Sequence, residues 1–177
     1  MIISSGSGQA TVARRKKAAK RYTTRLAQVC SLLNAERARY VVVGASAMQL
    51  WGTTRATRDL DILIEPTVAN ARRVLRALER SGAGFAKELS PEEIVRRAVT
   101  IIGDVPNVDV FTRAWNVRYA DAGPASTTFD VEGVAVPAAS IEHLIESKRT
   151  GRLQDAADIE VLEEIRQLRK RPTTGSA

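Results

Sequence analysis

The chain has 177 residues, 44% of them apolar, which suffices for one domain with a real core and is short for two. A formal net charge of +7 points to polyanionic partners. No apolar run is long enough to span a bilayer, and the opening MIISSGSG lacks the charged leader and apolar stretch of a secretion signal; a soluble, cytoplasmic protein with no membrane partner is expected.

Residues 1–9 and 171–177, rich in Ser, Gly, Thr and Pro, read as disordered tails. From Thr11 to Ala38 the pattern is helical, with Leu26, Val29, Leu32 and Leu33 at three- and four-residue spacing, so the second half of this helix is expected to dock. Its first half carries Arg14, Arg15, Lys16, Lys17, Lys20, Arg21 and Arg25 without an acid. That run is either a sequence-independent attraction for phosphate backbones or a solvated basic face, and Tyr22 adds one stacking surface. Cys30 has no partner for a disulfide and reads as a small core residue.

YVVV, Tyr40–Val43, is the β-branched run of a strand buried on both faces. Ala45–Trp51 reads as a helix ending at Gly52. In DLDILIE, Asp59–Glu65, strict alternation puts Leu60, Ile62 and Ile64 on one face and Asp59, Asp61 and Leu63 on the other, until Pro66 ends the strand. Val68–Arg80 is a helix with Val74, Leu75 and Leu78 inward, closed by SGAG. Ser90 then caps PEEIVRRAV, with Pro91 at the first helical position and acids in the first turn. VTIIGD and NVDVFT, flanking Pro106, are β-branched strands expected to pair with each other. FDVEGVAVP reads as a hairpin or bent strand with Gly133 at the corner, and Ser140 opens a helix through Glu146. A last helix, Gln154–Arg169, stripes Ile159, Leu162, Ile165 and Leu168 along one face. No internal repeat is present. The expected class is α/β: a small mixed sheet with packed helices, comprising a basic tail and helix over 1–38, the main domain over 39–170 and a tail over 171–177.

Asp59 and Asp61 pose a problem, because adjacent positions on one strand face lie about 6.6 Å apart, where two carboxylates repel by roughly 2.5 kcal/mol at an effective dielectric near 20. Arg55 and Arg58 could bridge them as a structural network, or a divalent metal could bind. Two features favour the metal. Gly44-Ala45-Ser46 follows a buried strand and opens a helix, so its backbone N–H groups and the Ser46 hydroxyl form an anion site. Asp109, between Val108 and Val110, is an acid on one face of a third strand. If that strand lies beside the Asp-x-Asp strand, three carboxylates converge next to a phosphate cradle, an arrangement suited to two hard cations in an in-line phosphoryl displacement.

The set Gly44-Ala45-Ser46, Asp59-Leu60-Asp61 and Asp109 resembles the nucleotidyltransferase superfamily, which includes the polymerase-β-like enzymes. The run Gly44, Ala47, Gly52, Arg55, Thr57, Asp59, Asp61, followed by Lys148, Arg152, Asp155 and Asp158 in ESKRTGRLQDAADIEVLEEI, is similar to the toxin-type branch related to abortive-infection AbiEii proteins. The resemblance spans roughly residues 40–165. It implies transfer of a nucleoside monophosphate from a nucleoside triphosphate to an acceptor hydroxyl, with RNA such as a transfer RNA as acceptor and a cognate antitoxin as partner. Asp59, Asp61 and Asp109 would bind two Mg2+ or Mn2+ ions, and Asp109 would help deprotonate the acceptor. Gly44, Ser46, Arg58, Lys148 and Arg152 would contact the nucleotide, although Arg152 with Asp155 or Asp158 also fits helix-surface ion pairing. Many toxin-type relatives carry a double glycine where this chain has Gly44-Ala45, and many add a helical domain that shapes the acceptor site. A small-molecule or protein acceptor, or a non-catalytic binding protein of this fold, are the alternatives. His143 among surface glutamates, and Trp51 and Trp115 as core or cleft walls, are assigned no chemistry.

Overall fold

The computed structural model describes residues 24–82, 84–103 and 107–170; the basic segment before Thr24, both predicted tails and Pro106 lie outside them. Chain order runs α1 (Arg25–Ala35), β1 (Tyr40–Val42), α2 (Gly44–Trp51), β2 (Leu60–Ile64), α3 (Val68–Arg80), α4 (Pro91–Arg96), β3 (Val99–Ile102) and β4 (Val108–Phe111). It continues through β5 (Arg113–Ala114), β6 (Val117–Arg118), α5 (Tyr119–Ala122), β7 (Thr127–Val131), β8 (Val134–Ala138), α6 (Ile141–Ser147) and α7 (Leu153–Lys170), with a short 3-10 turn at Gly84–Glu88. This is the expected α/β class.

Six strands form one mixed sheet in the order β3-β4-β2-β1-β8-β7. The centre is β2, antiparallel to β1 and parallel to β4. Ile62 and Leu63, which point to opposite faces of β2, are both fully buried, so both faces of the sheet are covered at that point. Each such side chain gains about 2 kcal/mol on leaving water. Val99–Ile102 and Val108–Phe111 pair antiparallel, as their composition predicts. The hairpin of β7 and β8 turns at Glu132 and Gly133, both with positive φ, the backbone of a two-residue turn matched to strand twist.

Helix ends follow local chemistry. The Thr24, Thr67 and Ser140 side chains each accept from the third residue onward, and Ser90 forms a full capping box with Glu93. α1 contributes Ala27, Val29, Cys30 and Leu33 to the core, packing on α3 and β8. Burial pushes the Cys30 thiol up to about 12, which leaves it an apolar filler. Three expectations need correction. β1 ends at Val42, because Val43 turns to become the N-cap of α2. Leu168 is exposed rather than inward, and at this end of α7 it is Arg169 that meets the body, its guanidinium 4.7 Å from the centroid of the Trp51 ring. His143 is not merely solvated: its Nδ1 lies 2.9 Å from the Ser140 hydroxyl in the cap of α6. The ribbon of β5 and β6, two residues per strand, and α5 are too short to leave a periodic signal in the sequence. No described helix is long and apolar enough to cross a membrane.

Candidate active site

The register of the two parallel strands decides the geometry of the acids. Asp61 on β2 is the partner of Asp109 on β4, so their Cα atoms sit on neighbouring strands roughly 4.8 Å apart and both side chains leave the same face. The pair is only partly compensated. Oδ1 of Asp109 is buried with no hydrogen-bond partner. Burial, then the charges of Asp109 and Asp59, push the Asp61 carboxyl up to about 6, against the pull of Lys148 and Arg55. Burial and the charge of Asp59 likewise raise Asp109.

Asp59 is placed differently from its prediction. It lies just before β2 rather than on its face, exposed, with Oδ1 accepting from the Asn107 side-chain amide at 2.8 Å. Leaving the strand relieves part of the like-charge repulsion that strict alternation would impose. Nor do Arg55 and Arg58 bridge the acids: Arg55 pairs with Asp158, while the Arg58 carbonyl accepts from Arg25 at 2.9 Å. Among the described residues, no three His, Cys, Asp or Glu side chains already form a metal cage.

Gly44 opens α2 at φ +60 and lies against Asp61; a Cβ there would overlap the carboxylate, with Asp61 Cγ at 2.7 Å and Cβ at 3.0 Å. Glycine is therefore required both for the backbone and for the approach of β2. No side chain caps this helix, which starts beside Asp61, so the N–H groups of its first turn have no side-chain acceptor from the cap. Ser46 is buried, and its hydroxyl donates to the Asp59 carbonyl at 3.3 Å, so its role here is to hold the loop that carries Asp59.

Lys148, Asp155 and Asp158 form a buried cluster, where the sequence also allowed a surface ion pair. Lys148 Nζ donates to Asp155 at 3.1 Å and to Asp158 at 2.6 Å, and its side chain is only 13% exposed. Arg55 closes on Asp158, and Arg152, itself mostly exposed, on Asp155 at 2.6 Å. Burial would raise the Asp155 carboxyl, yet hydrogen bonds from Thr150, Arg152 and Lys148 overcome it and hold it below the usual range. The cluster ties α7 to the loop before β2, across 103 residues of sequence. Asp158→Ala would leave Lys148 and Arg55 short of a counter-charge, costing about 2–3 kcal/mol. Urea unfolding should show it as a lower midpoint, whereas Arg149→Ala, which breaks an exposed pair with Glu146, should shift the midpoint by less than about 0.5 kcal/mol equivalent.

Two cavities adjoin the acids. One of about 250 Å3 is lined by Gly44, Asp61, Lys148, Arg152 and Trp115; a larger one, about 730 Å3, by Ser46, Gln49, Thr57, Arg58, Asp59 and Asn107. The predicted nucleotide contacts thus divide, with Gly44, Lys148 and Arg152 at the first and Ser46 and Arg58 at the second. Trp115 is half-exposed and lines the smaller cavity, the cleft wall that the sequence allowed, whereas Asn107, beside Asp59 at the larger one, was not singled out by sequence patterning. Trp51 is structural: its Nε1 donates to the Ala139 carbonyl at 2.8 Å, and its ring meets Phe129 edge-on at 5.2 Å between centroids.

No protein-family model matches the sequence, and no curated protein matches it. Among solved structures, an antigenic nucleotidyltransferase-like protein from Paracoccidioides brasiliensis superposes with a TM-score of 0.53 at 18% identity, covering 81% of this chain and 74% of that one. A Thermotoga maritima protein provisionally described as a nucleotidyltransferase gives 0.46 at 16% identity, over 81% of this chain and 90% of that one. The six-stranded mixed sheet and its helices therefore form the α/β fold of the Paracoccidioides nucleotidyltransferase-like protein.

Proposed function

We propose that the protein is a metal-dependent nucleotidyltransferase, moving a nucleoside monophosphate from a nucleoside triphosphate to an acceptor hydroxyl with release of pyrophosphate. The observation that carries this reading is the side-by-side register of Asp61 and Asp109, one of them with an orphaned buried oxygen, beside the uncapped start of α2. The donor set fits a divalent cation. It is made of oxygen only, it is negative, and burial followed by the repulsion of its neighbours holds Asp61 away from its ordinary ionisation. Asp59, Asp61 and Asp109 are the residues to hold two Mg2+ or Mn2+ ions, with Asp59 exchanging its Asn107 hydrogen bond for the metal. Bound there, the ions supply charge neutralisation on the attacking and leaving oxygens of an in-line displacement.

The chain's own groups do the rest. The N–H groups of the first turn of α2 donate to the phosphates, and Gly44 lets them approach. Lys148 and Arg152 put cations along the smaller cavity, while Arg58 and Ser46 border the larger one. Asp109 is the group to accept the proton of the acceptor hydroxyl. RNA is the acceptor we favour, supported by the net charge of +7 and the basic run from Arg14 to Arg25. A toxin setting with a cognate antitoxin rests on the motif resemblance alone. One observation favours a second reading, a non-catalytic binding protein: Lys148 is already held by Asp155 and Asp158.

The test is a transfer assay with each labelled nucleoside triphosphate, Mg2+ or Mn2+, total RNA and cell protein, with Asp59→Asn and Asp61→Asn alongside. Label on RNA that needs metal and both aspartates is the expected result. Label on protein keeps the reaction and moves the acceptor. Tight RNA binding that survives Asp61→Asn, with no labelled product and no metal-dependent nucleotide binding, establishes the binding protein instead.

A further inference from the structure

Away from the carboxylates, four arginines meet around one cavity. Arg96 and Arg97 end α4, and Arg113 and Arg118 lie on β5 and β6. Thr112 staples the two groups together: its N–H donates to the Ala98 carbonyl at 3.0 Å and its hydroxyl to the Arg97 carbonyl at 2.6 Å. The result is a cavity of about 470 Å3 lined by all four guanidinium side chains, Thr112 and Tyr119.

Solvated surface charge is the ordinary explanation of exposed arginines, and Arg96 also complements the negative end of α4. Two facts go beyond it. Among the described residues none of the four has an acidic partner, although ten ion pairs form elsewhere. Arg113 and Arg118 are moreover direct cross-strand partners on a ribbon two residues long, an arrangement that is destabilising without an anion between them. Guanidinium forks match phosphate oxygens two at a time.

Position supplies the occupant. Arg113 follows Asp109 by four residues, past the bend at Thr112 where the β5–β6 ribbon begins, so the two Cα atoms are at most about 13 Å apart at strand rise. Trp115, at φ +55 and 51% exposed, sits at the turn of the same ribbon and faces the cavity that contains Asp61. Exposed aromatic faces beside phosphate-binding cations suit unpaired bases, which a duplex does not offer. We infer that the Arg96, Arg97, Arg113 and Arg118 cavity binds the phosphate backbone of a single-stranded nucleic acid and leads its terminal hydroxyl toward Asp109. Only the direction of the strand rests on the transfer reading; binding itself does not.

The experiment is fluorescence anisotropy of a labelled 12-nucleotide single-stranded RNA with the full chain, titrated at several salt concentrations without metal or nucleotide. Arg113→Ala/Arg118→Ala and Arg96→Ala/Arg97→Ala are each expected to weaken binding about tenfold or more and to lower the salt slope by about 1.4, the share of two phosphates. Arg72→Ala/Lys170→Ala removes the same charge from surfaces elsewhere and should change neither by more than about twofold. The melting temperature of Arg113→Ala/Arg118→Ala should be unchanged or raised, because cross-strand repulsion is lost, while Arg96→Ala/Arg97→Ala should shift it little, since the lost repulsion is offset by the loss of Arg96 at the negative end of α4. Asp61→Asn should bind the RNA as the native chain does, so a failed transfer reaction leaves this result standing. An unchanged slope, or equal loss in the control double, overturns the proposal. So does a poly-glutamate peptide that binds as tightly with the same arginine dependence, which would give the cavity to an acidic protein.

Discussion

Asp61→Asn should abolish transfer, by roughly a thousandfold or more, while making the metal-free protein more stable. The loss follows from removing one of the carboxylates through which several kcal/mol of transition-state charge stabilisation would act. The gain follows from linkage. The Asp61 carboxyl titrates near 6 in the folded chain against an ordinary 3.8, so the folded state binds the proton more tightly than the unfolded one. Asp61's own contribution to stability is therefore highest below about pH 4, falls as pH rises through about 6, and stays reduced above it, by at most about 3 kcal/mol at 1.36 kcal/mol per unit. Asn has the same shape and no charge. It should recover about 2 kcal/mol at pH 7.5, several degrees in melting temperature for a chain of this size, and flatten the decline between pH 4 and 7. A core residue of merely structural importance would lose stability and activity together; here they move in opposite directions.

Gly44→Ala should damage both. The left-handed backbone costs alanine about 1–2 kcal/mol, and the added methyl group collides with Asp61, so a loss of about 3 kcal/mol in urea unfolding is expected. Activity should fall further than stability accounts for, because the methyl group must displace the Asp61 carboxylate or part α2 from β2. Gly52→Ala separates the two effects. That glycine caps α2 at φ +113, and an added methyl group would meet nothing within 4 Å, so the substitution should cost stability through the backbone alone and leave metal binding intact. Equal metal binding by both glycine variants would remove the close approach from the account.

Much of the fold was legible because local chemistry and tertiary packing agree. Val68–Arg80 begins at a Thr67 cap and buries Val74, Leu75 and Leu78, and the pairing of Val99–Ile102 with Val108–Phe111 follows from their β-branched composition. The neighbourly placement of Asp61 and Asp109 was conditional on strand order, which no single segment encodes; the parallel register makes it real. Asp59 was misplaced because alternation alone cannot say where a strand begins, and here an Asn107 hydrogen bond holds it outside. Arg55, Lys148 and Asp158 were each picked out by the motif resemblance, but their union in one cluster was not legible, for a different reason. Its members are exposed-type residues far apart in sequence, made a unit only by docking of α7, and paired charges leave no hydrophobic period. Short elements such as β5 and β6 carry too few residues for any periodicity, although their arginines supply the most distinctive surface outside the carboxylates.

The central claim is that Asp61 and Asp109 are a metal site, and counting bound Mn2+ by electron paramagnetic resonance at pH 7.5 with a non-hydrolysable nucleoside triphosphate tests it most directly. The account predicts two ions per native chain beyond those carried by the nucleotide in solution, and none retained by the Asp61→Asn and Asp109→Asn variants. Uptake by both variants equal to that of the native chain would contradict it.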